Sequence, residues 1–217
     1  MILSLLLEAT MQTIYMVAVA SVVATLAGLP LGVLLYITRP GNILAKPYLH
    51  KTLAALVNMT RSIPFIILMI AVIPFTRLLV GTSIGTNAAI IPLALAAVPF
   101  IARIVESSLL EINKGLIEAA VAMGATPRQI IRKVLLPEAF PSIINGLTLT
   151  VVSLIGYSAM AGAVGGGGLG DLAIRYGYQR FEISVMLITI AIMIVLVQLV
   201  QYTGDCLVRK FAHFRGK

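Results

Sequence analysis

Four stretches of this chain carry no charged side chain over a length sufficient to cross a bilayer. They are residues 9–38, 78–102, 139–170 and 183–204, which are 30, 25, 32 and 22 residues long. A hydrocarbon core about 30 Å thick is crossed by ~20 helical residues. No water is available there to satisfy backbone N–H and C=O groups, so a single apolar segment satisfies them within its own helix. A fifth region is less regular. Residues 62–76 are 15 uncharged residues, short for a span. Adding residues 52–60 gives enough length but puts Arg61 inside the helix or at its edge. The expectation is an all-α integral membrane protein with five transmembrane helices, forming one transmembrane domain over residues 1–217.

Composition agrees with an apolar solvent. Charged residues are 11% of the chain, hydrophobic residues 59%, and the mean hydropathy is +1.04. Soluble domains carry about 25% charged residues. The net charge of +8 does not indicate nucleic acid, because the basic residues sit between the apolar runs and at the C-terminus. With five spans, one set of loops holds Arg39, Lys46, Lys51, Arg103, Lys114, Arg128, Arg132, Lys133, Arg209, Lys210, Arg215 and Lys217. The opposite set holds only Arg77, Arg175 and Arg180. Lys and Arg are retained on the cytoplasmic side, which predicts an external N-terminus and a cytoplasmic C-terminus. The opening MILSLLLEATMQ lacks a positive leader region and reads as retained. A single cysteine, Cys206, excludes an internal disulfide, and no metal-ligand spacing surrounds it. No metal site is expected.

Within the spans, Pro30, Pro64, Pro74, Pro92 and Pro99 each remove a backbone donor. They fit a kinked bundle, although proline is common in membrane helices. Gly28 and Gly32 form a G-x-x-x-G spacing that permits close helix approach.

The longest polar interruption, residues 103–138, is predicted to be a cytoplasmic loop. Its segment 118–137, EAAVAMGATPRQIIRKVLLP, predicts two short helices. Gly124 can end the first in the left-handed conformation. Thr126 caps the second, with Pro127 at its first position and Gln129 three residues after the cap. Ile130 and Val134 share one side of that helix, with Arg128, Arg132 and Lys133 elsewhere on the wheel. Pro137 is expected to stop it. By physics alone, this knob suits either a docking surface or a lipid-resting amphipathic segment.

The residue pattern favours docking. Glu118, Ala119, Ala120, Gly124, Val134, Leu136 and Pro137 resemble the coupling motif of ABC importer permeases: E-A-A, three residues, G, nine residues, I, one residue, L-P. Val for Ile at position 134 is the only departure. Arg61-Ser-Ile-Pro64-Phe65, residues 156–162 and residues 165–171 extend the resemblance, most closely to the methionine-uptake permeases of bacteria. The resemblance implies the membrane subunit of an ATP-driven importer in the bacterial inner membrane. It implies two copies of the chain, two separate ATP-binding subunits and a periplasmic or lipid-anchored substrate-binding protein. ATP and Mg would reside in the partner ATPase, with no cofactor and no catalysis in this chain. The coupling residues would be those of the motif together with Ala125 and Arg128. Candidate contacts along the pathway or with the external partner are Arg61, Tyr157, Ser158, Met160, Asp171 and Arg175.

Other readings are weaker. Gly165, Gly167 and Gly170 fit G-x-G-x-x-G, but no preceding strand or βαβ unit supports dinucleotide binding, and no phosphate-binding Gly-Lys-Ser/Thr is present. A flexible or tightly turning external loop is the expectation for these glycines. An ion-coupled secondary transporter is the alternative function. It needs an ionisable relay in the membrane, and no acidic residue lies within a predicted span. An intramembrane enzyme would need a nucleophile beside a base, and none is evident.

Overall fold

The computed structural model describes residues 2–213. Arg215 and Lys217, counted above among the basic residues, lie outside the described residues. All regular structure among the described residues is helical. Among the described residues four helical segments are long and apolar enough to cross a membrane: Ile2–Thr38 (α1), Thr86–Leu110 (α5), Pro127–Gly166 and Ile183–Lys210, the last within α10, Ile183–His213.

The fifth expected span is not one helix. It divides into α2 (Pro47–Arg61), α3 (Phe65–Ala71) and α4 (Ile73–Val80). The first two meet at a 100° bend, giving four spans, or five if this broken pair is one. Pro64 lies at the break with φ −56° and ψ 135°, an extended conformation. Its ring also disfavours helical geometry at Ile63.

Close contacts fix the helix directions. A Cβ on Gly28 would stand 2.8 Å from Ile101 Cβ, and one on Gly32 2.6 Å from Val105 Cβ. The pairs ascend together, so α1 and α5 run parallel. The G-x-x-x-G spacing therefore serves packing within the chain. Residues 136–161 (α8) run against α5: Ser108 Oγ donates to Ser142 Oγ at 3.0 Å, while Gly146 abuts Ile104 one turn further in. Gly204 of α10 in turn abuts Thr148 of α8. The C-terminal ends of α1, α5 and α10 thus lie together with the N-terminal end of α8. All the described basic residues of the larger set gather at that end.

The core runs along the α1–α5–α8 seam. Met16, Leu93, Ile101, Val105, Leu109 and Leu154 are fully buried there. Helix α5 continues past Arg103, where sequence alone ended the span, to Leu110, and Arg103 pairs with Glu106 one turn on. Glu106 is itself 2% exposed. Deeply buried, it is the acidic side chain that the sequence reading of the spans did not anticipate.

The glycine-rich segment turns tightly, as one of the two expectations had it, but it is not a free loop. The chain kinks at Val164 and Gly165 and enters the short helix Gly168–Leu172 (α9). Gly162, Gly166, Gly168 and Gly170 are buried. The Gly168 N–H donates to Gln12 Oε1 at 2.8 Å and the Leu169 N–H to Thr13 Oγ1 at 2.9 Å. Side chains of α1 thereby satisfy backbone N–H groups that an otherwise irregular, buried turn would leave unpaired.

Candidate functional site

The polar segment between α5 and α8 projects from the end of the bundle where the basic residues gather. Helix α6 spans Lys114–Ala122 and begins before Glu118, because Asn113 Oδ1 caps it, accepting from the Gly115 N–H at 2.9 Å. Its other end is closed by paired backbone hydrogen bonds. The Ala125 N–H donates to the Ala120 carbonyl at 3.0 Å, and the Gly124 N–H to that of Val121 at 2.9 Å. With Gly124 at φ +76°, this is the left-handed glycine stop of a Schellman motif.

The next helix, α7, spans Pro127–Ile130. Thr126 and Gln129 form the anticipated capping box, with Pro127 in the first turn. The expected stop at Pro137 does not occur. The chain passes through a π-helical turn, Ile131–Leu135, and continues directly into α8. The Leu136 N–H reaches back to the Ile131 carbonyl. In a tight α turn the proline ring collides with the carbonyl four residues earlier. The wider π turn sits where that collision would arise, and helix direction survives.

Two faces result. Ala120, Ile130 and Leu135 are buried in the main core with Leu109 and Ile112. Ala125, Val134 and Leu136 pack against that cluster, half-buried. The apolar side of the second helix therefore secures the segment to the bundle. The outward face carries Glu118, Ala119, Gly124, Arg128 and Pro137, all exposed. At its crest stand Val121 and Met123, 55% and 81% exposed. Sequence reasoning passed over these two because they occupy unspecified motif positions. The signal was an apolar residue directly before the turn glycine.

The candidate pathway residues fall into separate groups. Arg61 and Tyr157 line one cavity of about 150 Å³, together with Thr60, Phe65, Phe100 and Ser153. The Phe65 and Tyr157 rings are stacked, with centroids 4.7 Å apart and planes 7° from parallel. The Arg61 guanidinium lies 5.4 Å from the Phe100 ring centroid. Ser158 is buried and donates to the Ile155 carbonyl of its own helix. Met160 is 47% exposed and lines neither this cavity nor the next. Asp171 and Arg175 form an ion pair in a different cleft, beside Glu8 and Gln12 near the start of α1. Among the described residues no cluster of His, Cys, Asp or Glu could hold a metal ion.

Residues 28–213 match the family described as binding-protein-dependent transport system inner membrane component. The probable D-methionine transport system permease protein MetI of Vibrio cholerae serotype O1 is 58% identical over 96% of this chain and 93% of its own length. The D-methionine transport system permease protein MetI of Escherichia coli K12 is 58% identical over 73% of each chain. A chain of the MetNI methionine ABC transporter, solved in inward facing conformations, superposes with a TM-score of 0.95 at 54% identity, covering 96% of this chain and 97% of that one. An amino acid ABC transporter shares the fold alone, with a TM-score of 0.78 at 18% identity. The chain belongs to the family of inner membrane components of binding-protein-dependent transport systems.

Proposed function

We propose that this chain is the membrane-spanning permease subunit of an ATP-driven importer for methionine, D or L, or a related amino acid, in the bacterial inner membrane. The observation that carries the reading is the likeness to D-methionine permeases over nearly the whole chain. The capped, outward-facing ridge from Glu118 to Arg128 supports the coupling role. The N-terminus lies outside and the C-terminus and residues 103–138 in the cytoplasm, a sidedness supported by the basic residues gathered at one end of the bundle.

In this reading two copies of the chain pair with two ATP-binding subunits, which hold the ATP and Mg and perform the hydrolysis. A periplasmic or lipid-anchored binding protein delivers the substrate. The exposed crest, Val121 and Met123, seats in an apolar groove of the ATPase, while Glu118 and Arg128 make polar contacts around it. Ala119 keeps the approach close, and Gly124 with Ala125 forms the turn. Val134, Leu136 and Pro137 transmit displacement from the ridge into α8, because the helix is continuous through them. Motion of the ATPase subunits then tilts α8 and exposes the pathway alternately to each side.

An ion-coupled transporter would need a free ionisable relay. Glu106 is a poor candidate, since Arg103 already pairs with it. The test is co-purification of the chain in mild detergent with its native neighbours, followed by reconstitution with the ATPase and the binding protein. ATP-dependent methionine uptake is expected. Recovery without any ATPase subunit would refute the proposal.

A further inference from the structure

We propose that the cavity between α2, α3, α5 and α8 is a station for the transported amino acid, where Arg61 binds the substrate carboxylate and the Phe65–Tyr157 stack receives its side chain. The inference deepens the proposed function and rests on it. It adds a substrate site in the permease itself and assigns the chemistry of each wall.

Arg61 is the least expected component. It closes α2 at the bend of the broken span. Arg61 is exposed, and a cation within a span is costly unless a pathway, a partner or water meets it. Snorkelling to the membrane edge would take the guanidinium away from the bundle. Instead it lies over the Phe100 ring of α5 and lines the cavity. Among the described residues the ion pairs Arg103–Glu106 and Arg175–Asp171 do not involve Arg61, and no described carboxylate lines the cavity. Its planar donors therefore face a space in which a ligand carboxylate can make paired hydrogen bonds.

The opposite wall suits the rest of an apolar α-amino acid. Ser153 Oγ donates to the Leu149 carbonyl of its own helix. Its lone pairs are thereby presented as acceptors for an ammonium group. The stacked rings offer an apolar flank, and a thioether sulfur makes favourable contacts about 5 Å from such a ring. A cavity of about 150 Å³ is below the range of drug-sized pockets and suits a small metabolite.

A second cavity of about 260 Å³ continues the series. The first is lined by Phe65 and Leu68 of α3, Ala96 and Ala97 of α5, and Leu154 and Tyr157 of α8. The second is lined by Met69, by Ala89 and Pro92, and by Ala161. On each of these helices it is displaced in the same direction, away from the basic end of the bundle. The two cavities therefore follow one another along a single face, as successive positions on a route do.

The test uses the detergent-purified permease–ATPase complex without binding protein, labelled with photo-methionine, a diazirine analogue. Label is expected in the segments holding Phe65, Phe100 or Tyr157. Excess methionine should suppress it, whereas methioninol, which lacks the carboxylate, should not. Arg61→Met, in complex that still elutes intact, should lower the label about tenfold, as expected for loss of a charge-assisted pair. Absence of label in these segments, equal suppression by methioninol, or undiminished label in Arg61→Met would each overturn the inference. The competitor series on the wild-type complex decides the matter even if the variant fails to assemble. Uptake by wild-type proteoliposomes supplied with binding protein separates the two proposals. No methionine uptake there would defeat the proposed function, whereas uptake without carboxylate-dependent labelling would defeat the station alone.

Discussion

Thr126 and Gln129 hold each other in a reciprocal cap. The Gln129 N–H donates to the Thr126 hydroxyl at 3.4 Å, and the Thr126 N–H donates to Gln129 Oε1 at 2.8 Å. Both groups are exposed, so the pair sets the entry angle of a solvent-facing turn and contributes little to the core. Thr126→Ala should cost about 1 kcal/mol of local order, while Thr126→Ser retains most of it. In a pull-down titration with the ATPase subunit, Thr126→Ala should weaken association by up to about fivefold. Equal affinities for the two variants would show that the turn is ordered by other contacts.

Gly124 separates backbone strain from crowding. A Cβ there would meet nothing within 4 Å, yet φ is +76°. The left-handed conformation costs a side-chain-bearing residue about 1–2 kcal/mol, less for Asn. Uptake per ATP hydrolysed should fall in the order Gly, Asn, Ala, Val at this position. An Ala variant that couples as well as wild type would remove the turn from the mechanism.

Met123 distinguishes docking from folding. It is 81% exposed, so Met123→Asp should leave the thermal midpoint of the isolated permease unchanged. A buried apolar anchor at an interface is worth about 2 kcal/mol or more. Association with the ATPase should therefore fall tenfold or further. An unchanged affinity would place the contact elsewhere on the ridge.

Gly32 reports on the α1–α5 seam. A Cβ there would stand 2.5 Å from the Ala102 carbonyl oxygen and 2.6 Å from Val105 Cβ. Neither atom belongs to the far end of a flexible side chain, so Gly32→Ala should destabilise the protein by about 1–3 kcal/mol. Gly32→Leu should prevent stable assembly. Both are read from the thermal unfolding of purified protein, and an unaltered midpoint for Gly32→Leu would refute the close approach.

What could be read in the sequence follows the range of the interactions. The turn at Gly124 and the box at Thr126 were legible because capping is settled within a few residues. The cap at Asn113 is equally local, but the motif drew the boundary of the first helix to Glu118. Pro137 was misread because a wide turn at Ile131–Leu135 lets a proline remain within a continuous helix. The broken span was foreshadowed only by its shortness and by Arg61. Where Arg61 points depends on Phe100 of another helix, which no local pattern encodes. Burial of the glycine-rich turn likewise depends on Gln12 and Thr13, the former separated from its partner by 156 residues. The continuation of α5 to Leu110 was missed because the span end was drawn at the first charge, whereas Arg103 pairs with Glu106 within the same helix.

The central claim is that work done by a separate ATPase enters this chain through the ridge from Glu118 to Arg128. Its most direct measurement is methionine accumulation, alongside ATP hydrolysis, in proteoliposomes holding the permease, ATPase and binding protein, with wild type compared against a Glu118→Lys, Gly124→Val double variant. The account predicts ATP-dependent accumulation for wild type and none for the double variant, whose chain still inserts in the membrane. Undiminished ATP-dependent uptake by the double variant would contradict it.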